Sequence, residues 1–342
     1  MKYLLNVKNL SVEFNRRDDR ILAVRDVSFE VFPNETVAIV GESGCGKSAL
    51  AKSILGLLPE TAKIINGSIS YDDNDLLSLK EISLRSIRGK EIGMVFQDPF
   101  LSLNPTMKIG QQICEALFAH RVSSVKYAKS ICYKILSEVR IKNPEAVFEM
   151  YPHQLSGGMK QRILIAIAVV CKPKLLIADE PTTALDVTVQ TQILKLLKDL
   201  QKGYNMSMLL ITHDMTVVAD ICDKMIVMYA GEIVEMGKTQ DIINSPKHPY
   251  TRMLLDSVPT LDKHKVFNRL KPIDGFLPII DSPISYCSFA QRCPSAMQIC
   301  ARKRPNLTKD KQCTRCWLYD KRKSSKKPDG SQITQEVVQA GK

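Results

Sequence analysis

The sequence predicts an α/β protein built on a parallel sheet, and three observations carry that prediction. The stretch Gly41-Glu42-Ser43-Gly44-Cys45-Gly46-Lys47-Ser48 fits G-x-x-x-x-G-K-[ST]. It lies between an apolar strand, Thr36 to Val40, and a run from Ala49 to Leu58 whose apolar residues recur at helical spacing. Residues 160 to 233 then alternate helix and strand: a helix from Lys160, a strand Leu175 to Ala178, a helix Val187 to Gly203, a strand Met208 to Ile211, a helix Met215 to Cys222 and a strand Lys224 to Met228. Repeated βα units mean a parallel sheet covered on both faces. Finally, the strand Leu175 to Ala178 ends in two adjacent carboxylates, Asp179 and Glu180, at the end of a strand where parallel sheets bind ligands.

The remaining elements follow in order. Residues 3–40 alternate in period two through Leu5, Val7 and Leu10, then Val12 and Phe14, then Val24, Val27, Phe29 and Val31, which predicts antiparallel strands leading into the loop strand. A strand Gly67 to Tyr71, a helix around Leu76 to Arg88 and a strand Ile92 to Phe96 come next. From Ile109 to about Met150 the pattern is helical (Ile113, Leu117, Ile131, Ile135, Val139), which predicts an inserted all-helical subdomain at about 98–160. Beyond Pro246 the chain turns irregular and proline-rich, with Pro249, Pro259, Pro272, Pro278 and Pro283. These features divide the chain into a domain at 1–250, a small Cys-rich domain at 251–320 and a polar basic tail at 321–342, opened by Lys321-Arg322-Lys323, that reads as disordered.

Composition narrows the class. At 342 residues, 44% hydrophobic and 25% charged, the chain is an ordinary globular protein with room for more than one folding unit. Its longest apolar runs, such as Ile163 to Cys171, fall far short of the roughly 20 residues that span a bilayer. The start, Met1 to Val7, has no signal-peptide core, so the expected location is cytoplasmic. The net charge of +12 sits largely in Arg302-Lys303-Arg304 and the tail, and reads as solvated surface rather than a nucleic-acid site. Ten cysteines in a reducing compartment argue against a disulfide framework, yet five crowd between Cys287 and Cys316.

The chemistry is that of a P-loop NTPase. Main-chain N–H groups of the glycine loop and the helix N-terminus surround anionic oxygens, Lys47 reaches the β- and γ-phosphates, and Ser48 ligates Mg²⁺. Asp179 would hold Mg²⁺ through water, and Glu180 would orient and polarise an attacking water. Ser156-Gly157-Gly158 opens a long helix and makes a second anion-binding helix end, with a Ser cap and a positive dipole.

Leu155-Ser156-Gly157-Gly158-Met159-Lys160-Gln161-Arg162 resembles the signature of the ATP-binding subunits of ABC transporters. The rest of residues 3–250 is similar to that family in order and spacing. Gln97 resembles the Q-loop glutamine, which senses Mg²⁺ and contacts membrane subunits; Ala184-Leu185-Asp186 resembles the D-loop; His213 resembles the switch histidine that donates to the γ-phosphate. Phe14 is the residue that the resemblance assigns to stacking on adenine. It implies ATP and Mg²⁺ as cofactors and a head-to-tail dimer in which the loop of one subunit faces Ser156, Gly157, Gly158 and Asp186 of another. Asn34 departs from the family's glycine in the turn before Glu35, but Asn tolerates φ > 0. Cys45 stands at a variable loop position.

Gln97-Asp98-Pro99-Phe100-Leu101-Ser102-Leu103-Asn104-Pro105, Pro181 to Gln190 and Pro246-Lys247-His248-Pro249-Tyr250-Thr251 resemble the oligopeptide/dipeptide/nickel importer group, and Leu55-Gly56-Leu57-Leu58-Pro59 leans to its D-type member. The resemblance implies a peptide importer, with nickel or a metal–metallophore complex as alternative cargo. It implies a second, F-type ATPase subunit, two transmembrane permeases, an extracellular solute-binding protein and a peripheral place on the cytoplasmic face of the membrane. A soluble ABC ATPase acting on nucleic acid or ribosomes is the reading from another class; such chains usually carry two cassettes or a long coiled-coil insertion, and neither is seen here. Cys287, Cys293, Cys300 and Cys316, the last followed by Trp317, resemble the group's C-terminal motif, which can hold a [4Fe–4S] cluster; four thiolates on irregular backbone suit Fe–S or Zn²⁺, and Cys313 competes with Cys316 for the fourth position.

Overall fold

The computed structural model describes residues 2–16, 19–120, 124–183, 185–257 and 273–320. Ala184, Pro259, Pro272 and the basic tail lie outside the described residues. The chain opens with two long antiparallel strands, β1 (Leu5–Arg16) and β2 (Asp19–Val31). Their apolar positions change parity between Val7 and Leu10 and between Val24 and Val27, and the register of the pair shifts between Val7 and Leu10 and on to Val12. Asn9 and Asp26, with φ of 48° and 53°, occupy the left-handed region at these breaks. The extra residue re-aims the next side chain inward, so a bulge keeps both halves of each strand on the core.

The loop strand β3 (Thr36–Val40) and helix α1 (Lys47–Ile54) flank the glycine loop. The helix ends at Ile54, earlier than the periodicity to Leu58 predicts, because Gly56 turns the chain at φ 62°. Asn34 holds φ 62° in the turn before Glu35, as its side-chain chemistry permits. Strands β4 (Ala62–Tyr71) and β5 (Asn74–Asp75) complete a four-stranded antiparallel sheet in the order β2-β1-β4-β5. After α2 (Glu81–Ile87) and β6 (Ile92–Val95) comes the helical stretch: α3 (Pro99–Ser102), α4 (Ile109–Ala119), α5 (Val125–Glu138) and α6 (Pro144–Glu149).

The second half runs through α7 (Gly157–Val169), β7 (Leu175–Asp179), α8 (Val187–Tyr204), β8 (Ser207–Thr212), α9 (Met215–Ile221), β9 (Lys224–Tyr229), β10 (Glu232–Lys238), α10 (Thr239–Asn244) and α11 (Pro249–Asp256). Its last elements are α12 (Gln298–Arg302) and β11 (Cys313–Thr314). The main sheet has seven strands in the order β11-β10-β9-β3-β8-β7-β6. The five from β9 to β6 are parallel, as expected. Strands β10 and β11 are antiparallel and make the sheet mixed. The sequence reading lacks both. The turn into β10 is the two-residue Ala230-Gly231, each with positive φ (45° and 82°), a conformation usually announced by Asn-Gly rather than by alanine.

Each parallel strand is buried on both faces. Ala38, Val40, Leu176, Ala178, Leu210 and Val227 pack into one core with α4 to α9, while Val37, Ile39, Leu175, Ile177, Leu209 and Ile226 pack into another with α1 and the antiparallel sheet. That is why these segments are continuous apolar runs instead of alternating ones. The C-terminal segment closes over the outside of β2: Leu22 N donates to Ile280 O at 2.7 Å, and Arg25 Nη2 lies 3.1 Å from Glu232 Oε2, which also takes the Ser288 hydroxyl. It then joins the sheet edge through Glu235↔Thr314 and Met236↔Cys313.

Candidate functional site

The glycine loop is shaped by close backbone approach. Gly46 has φ 103°, and a Cβ there would lie 2.0 Å from Ala23 O; Gly41 has φ 154°, and a Cβ there would lie 2.3 Å from Met228 O. Only glycine fits between the two sheets at these points. The loop thus sits at the carboxyl ends of β3, β7 and β8, and opens α1 with its positive dipole end. Lys47 is buried, and its Nζ donates to the carbonyls of Gly41 and Glu42, both at 2.9 Å. Cys45 is buried beside it, and burial pushes its thiol pKa up.

The two carboxylates at the end of β7 take different partners. Asp179 is nearly inaccessible, and Ser48 Oγ donates to its Oδ1 at 2.9 Å. Burial pushes its pKa up, and the Ser48 bond works against that shift. Glu180 collects the rest of the site around one carboxylate. Gln97 Nε2 donates to Oε2 at 2.9 Å and Thr183 Oγ1 to the same oxygen at 3.1 Å; Lys47 Nζ lies 4.0 Å and His213 Nδ1 3.8 Å from Oε1. Glu180 itself has φ 46°, unusual for a glutamate, and its N–H bonds to Ile211 O on β8 at 2.9 Å. The turn holding the acid is therefore fixed by the neighbouring strand, with left-handed backbone at a functional position.

Four sequence motifs meet here: Lys47 and Ser48, Asp179 and Glu180, Gln97, and His213. Two do not. Ser156 caps α7, accepting from Met159 N, and is exposed; Gly157 and Gly158 lie against Leu185 and Val189. Asp186 caps α8, accepting from Val189 N at 2.9 Å. Among the described residues no hydrogen bond or ion pair joins this group to the glycine loop. Phe14 lies on β1, opposite Ile21 and Ala62, partly buried against the second core. Three contributors escape the sequence reading. Thr183, three residues after Glu180, has a readable turn spacing, whereas Tyr250 and Arg292, described below, have no local signal.

The oxygen donors of Ser48, Asp179 and Gln97 are the set that Mg²⁺ takes. The thiols are less simply arranged. Cys287, Cys293, Cys300 and Cys316 share one environment: burial pushes Cys287 up to about 12 and Cys293 and Cys316 up to about 11, Cys287 feels the other three thiols, Cys293 feels Cys316 and Cys300, and Cys316 feels Cys300. Met297 N donates to Cys300 Sγ at 3.5 Å. Cys313 stands apart among Lys224, Asp310 and Lys247, its thiol donating to Asp310 O at 3.1 Å. Among the described residues, however, no three His, Cys, Asp or Glu side chains come together as a metal-ion site. The four thiols therefore do not form the compact ligand set that one zinc ion needs.

Comparison with known proteins gives the family. Residues 24–183 match the ABC transporter family, and residues 234–300 match the oligopeptide/dipeptide transporter C-terminal region. The dipeptide transport ATP-binding protein DppD of Bacillus subtilis is 49% identical over 94% of this chain and 96% of its own. The oligopeptide transport ATP-binding protein OppD of Escherichia coli is 45% identical over 88% of this chain and 89% of its own. Among solved structures, a dimeric post-hydrolysis ATP-binding cassette bound to ADP and Pi superposes with a TM-score of 0.62 at 28% identity, covering 69% of this chain and 98% of the cassette. The cbiO1 protein of Clostridium perfringens, part of the ABC transporter complex cbiONQ, gives 0.61 at 28% identity, covering 72% and 92%. With its phosphate loop, its paired carboxylates and this similarity along nearly its whole length, the chain belongs to the ATP-binding subunits of ABC transporters, in their oligopeptide/dipeptide group.

Proposed function

We propose that this chain is the ATP-hydrolysing subunit that energises an ABC importer of peptides. The observation that carries the reading is the convergence of Lys47, Gln97, Thr183 and His213 on the Glu180 carboxylate, beside the Ser48–Asp179 pair. Main-chain N–H groups of the glycine loop after Glu42 and the start of α1 bind the phosphates, and Phe14 stacks on adenine. Glu180 orients the attacking water and draws its proton, while His213 donates to the γ-phosphate. Ser48, Asp179 and Gln97 would hold Mg²⁺, which when bound would supply positive charge to the phosphate oxygens.

The exposed Ser156-Gly157-Gly158 helix end, with Asp186 nearby, faces the nucleotide of a second ATPase subunit, an F-type paralogue of this chain. This is supported by its separation from the chain's own loop and by the dimeric state of the solved cassette. Two transmembrane permeases receive the motion near Gln97, and a solute-binding protein delivers cargo outside. No helix among the described residues is long and apolar enough to cross a membrane, in keeping with a peripheral subunit on the cytoplasmic face. Domain limits of 1–250 and 251–320, with helices inserted at about 98–160, remain our division of the chain.

Cys287, Cys293, Cys300 and Cys316 are our ligand set for a [4Fe–4S] cluster. Their shared surroundings support it, and a cluster sets its thiolates wider apart than a single ion does. Purified protein without iron, acid-labile sulfide and broad visible absorption would remove this assignment. The ATPase reading is tested by Glu180→Gln. ATP binding should persist while turnover falls on the order of 10²–10⁴-fold, as for loss of a positioned base; unchanged turnover would overturn it. Loss of labelled di- or oligopeptide uptake in cells lacking the chain is expected, and undiminished uptake would refute the cargo.

A further inference from the structure

Glu42 is the second residue of the phosphate loop, and it places a carboxylate in a loop that must hold an anion. That charge is matched from far along the chain. Arg292 Nη1 lies 3.1 Å from both Glu42 oxygens, and the arginine side chain is only 7% exposed. The guanidinium is itself fixed: Nε donates to Asp274 O at 2.8 Å, Nη1 to Tyr229 Oη at 3.3 Å, and the group lies 5.7 Å over the Tyr229 ring. The main chain of Glu42 is held too, its N–H donating to Tyr250 Oη at 2.9 Å. Tyr250 is fully buried, edge-on to Tyr229 at 4.8 Å and 5.4 Å from Phe289. Leu277 completes the contact by lying 3.8 Å from where a Cβ on Gly44 would stand.

Glu42 belongs to the stretch matching the ABC transporter family, whereas Arg292 belongs to the stretch matching the oligopeptide/dipeptide C-terminal region. The two are 250 residues apart in sequence. Arg292 also closes the short 3₁₀ turn Ala290–Arg292, which is held by Ala290 N to Cys287 O and leads directly into Cys293. The C-terminal segment thus grips the nucleotide loop by a charge pair and a main-chain bond.

We propose that Arg292 is a positioning residue for nucleotide binding, acting through Glu42: it neutralises and fixes that carboxylate so that the loop presents a positive surface to the triphosphate. This rests on the reading of the loop as an ATP site and adds that the C-terminal region completes it. Without Arg292, a bare carboxylate faces the incoming anion, and the loop loses a partly desolvated, charge-assisted contact. Glu42→Gln removes the repulsion as well as the pair, so in an Arg292→Ala background it should restore affinity. A purely structural arginine would show no such rescue.

The test is equilibrium binding of Mg–ATP to the full-length chain and its variants, with thermal melting alongside. Arg292→Ala should bind on the order of tenfold more weakly, near the size of a like-charge contact at about 4 Å once water enters beside Glu42. Arg292→Lys should fall between, since a lysine cannot match the fork. Arg292→Ala/Glu42→Gln should bind more tightly than Arg292→Ala alone. Where Arg292→Ala does not fold, Arg292→Gln carries the test, with the same weakening and the same rescue expected. Wild-type affinity in the arginine variants, or a double variant at least as weak as the single, overturns the proposal. A wild-type chain that does not bind ATP instead overturns the ATP reading of the loop, and the two failures are distinct.

Discussion

Gln97 Nε2 donates to Glu180 Oε2 at 2.9 Å, joining the residue just after β6 to the acid at the end of β7. The amide restrains the carboxylate from the side on which the helical stretch begins, since Pro99 starts α3 two residues later. One hydrogen bond thus connects the start of that stretch to Glu180.

Gln97→Ala should release Glu180 and uncouple it from its surroundings. ATPase activity is expected to fall about tenfold or more in the assembled transporter, with nucleotide affinity changing little. Steady-state hydrolysis beside equilibrium ATP binding checks this; an affinity loss as large as the rate loss would mean that Gln97 acts on binding alone.

Gly46→Ala should remove nucleotide binding by a steric route. The added methyl would stand 2.0 Å from the main-chain oxygen of Ala23, which no side-chain rotation relieves. The loop must shift or the two sheets must part, at a cost of about 2–4 kcal/mol. Denaturant unfolding together with ATP binding measures both; a variant as stable as wild type and binding normally would show that the loop is softer than its contacts imply.

His248 predicts an acid-sensitive fold. It is fully buried, its Nδ1 accepts from Tyr250 N at 3.1 Å, and burial holds its pKa down at about 3 against 6.5 for a free histidine. The folded state keeps the ring neutral while the unfolded chain protonates it, so stability is intact above pH 6.5 and lost as pH falls toward 3. Each pH unit in that window costs about 1.4 kcal/mol from this residue. Because Tyr250 also bonds Glu42, the loss should reach the phosphate loop. His248→Gln should flatten the pH dependence of unfolding in that window, and an unchanged slope would place the sensitivity elsewhere.

The thiols predict the opposite limb. Cys287, Cys293 and Cys316 titrate at about 11 to 12 in the fold against 9.0 unfolded, so the unfolded chain ionises first. Protein stripped of any bound metal should lose stability as pH rises from 9 toward 12. Replacing Cys287 and Cys293 by serine should shrink that loss in pH-dependent unfolding; a loss of full size would assign it to the tyrosines.

By itself the sequence determined the phosphate loop, the two acids and most strands, because each rests on short-range pattern, while Gln97 and His213 stood out only through the family resemblance. The loop needs glycine at fixed spacing, and strands buried on both faces read as unbroken apolar runs. The bulges of β1 and β2, by contrast, lie outside the plain period-two reading and come with the pairing register. Only tertiary structure decided how the C-terminal segment is used. The turn Ala230-Gly231 carries no usual hairpin signal, so β10 and its partner β11 become evident only when the sheet edge is formed. The pairing of Glu42 with Arg292 depends on chain reversals spread over 250 residues, and no local propensity encodes which arginine will meet which carboxylate. The gathering of Gln97, Thr183, His213 and Lys47 on Glu180 is likewise a product of strand order: β3, β8, β7 and β6 lie side by side with their carboxyl ends together. Periodicity fixes what a segment is, and strand order fixes what it meets.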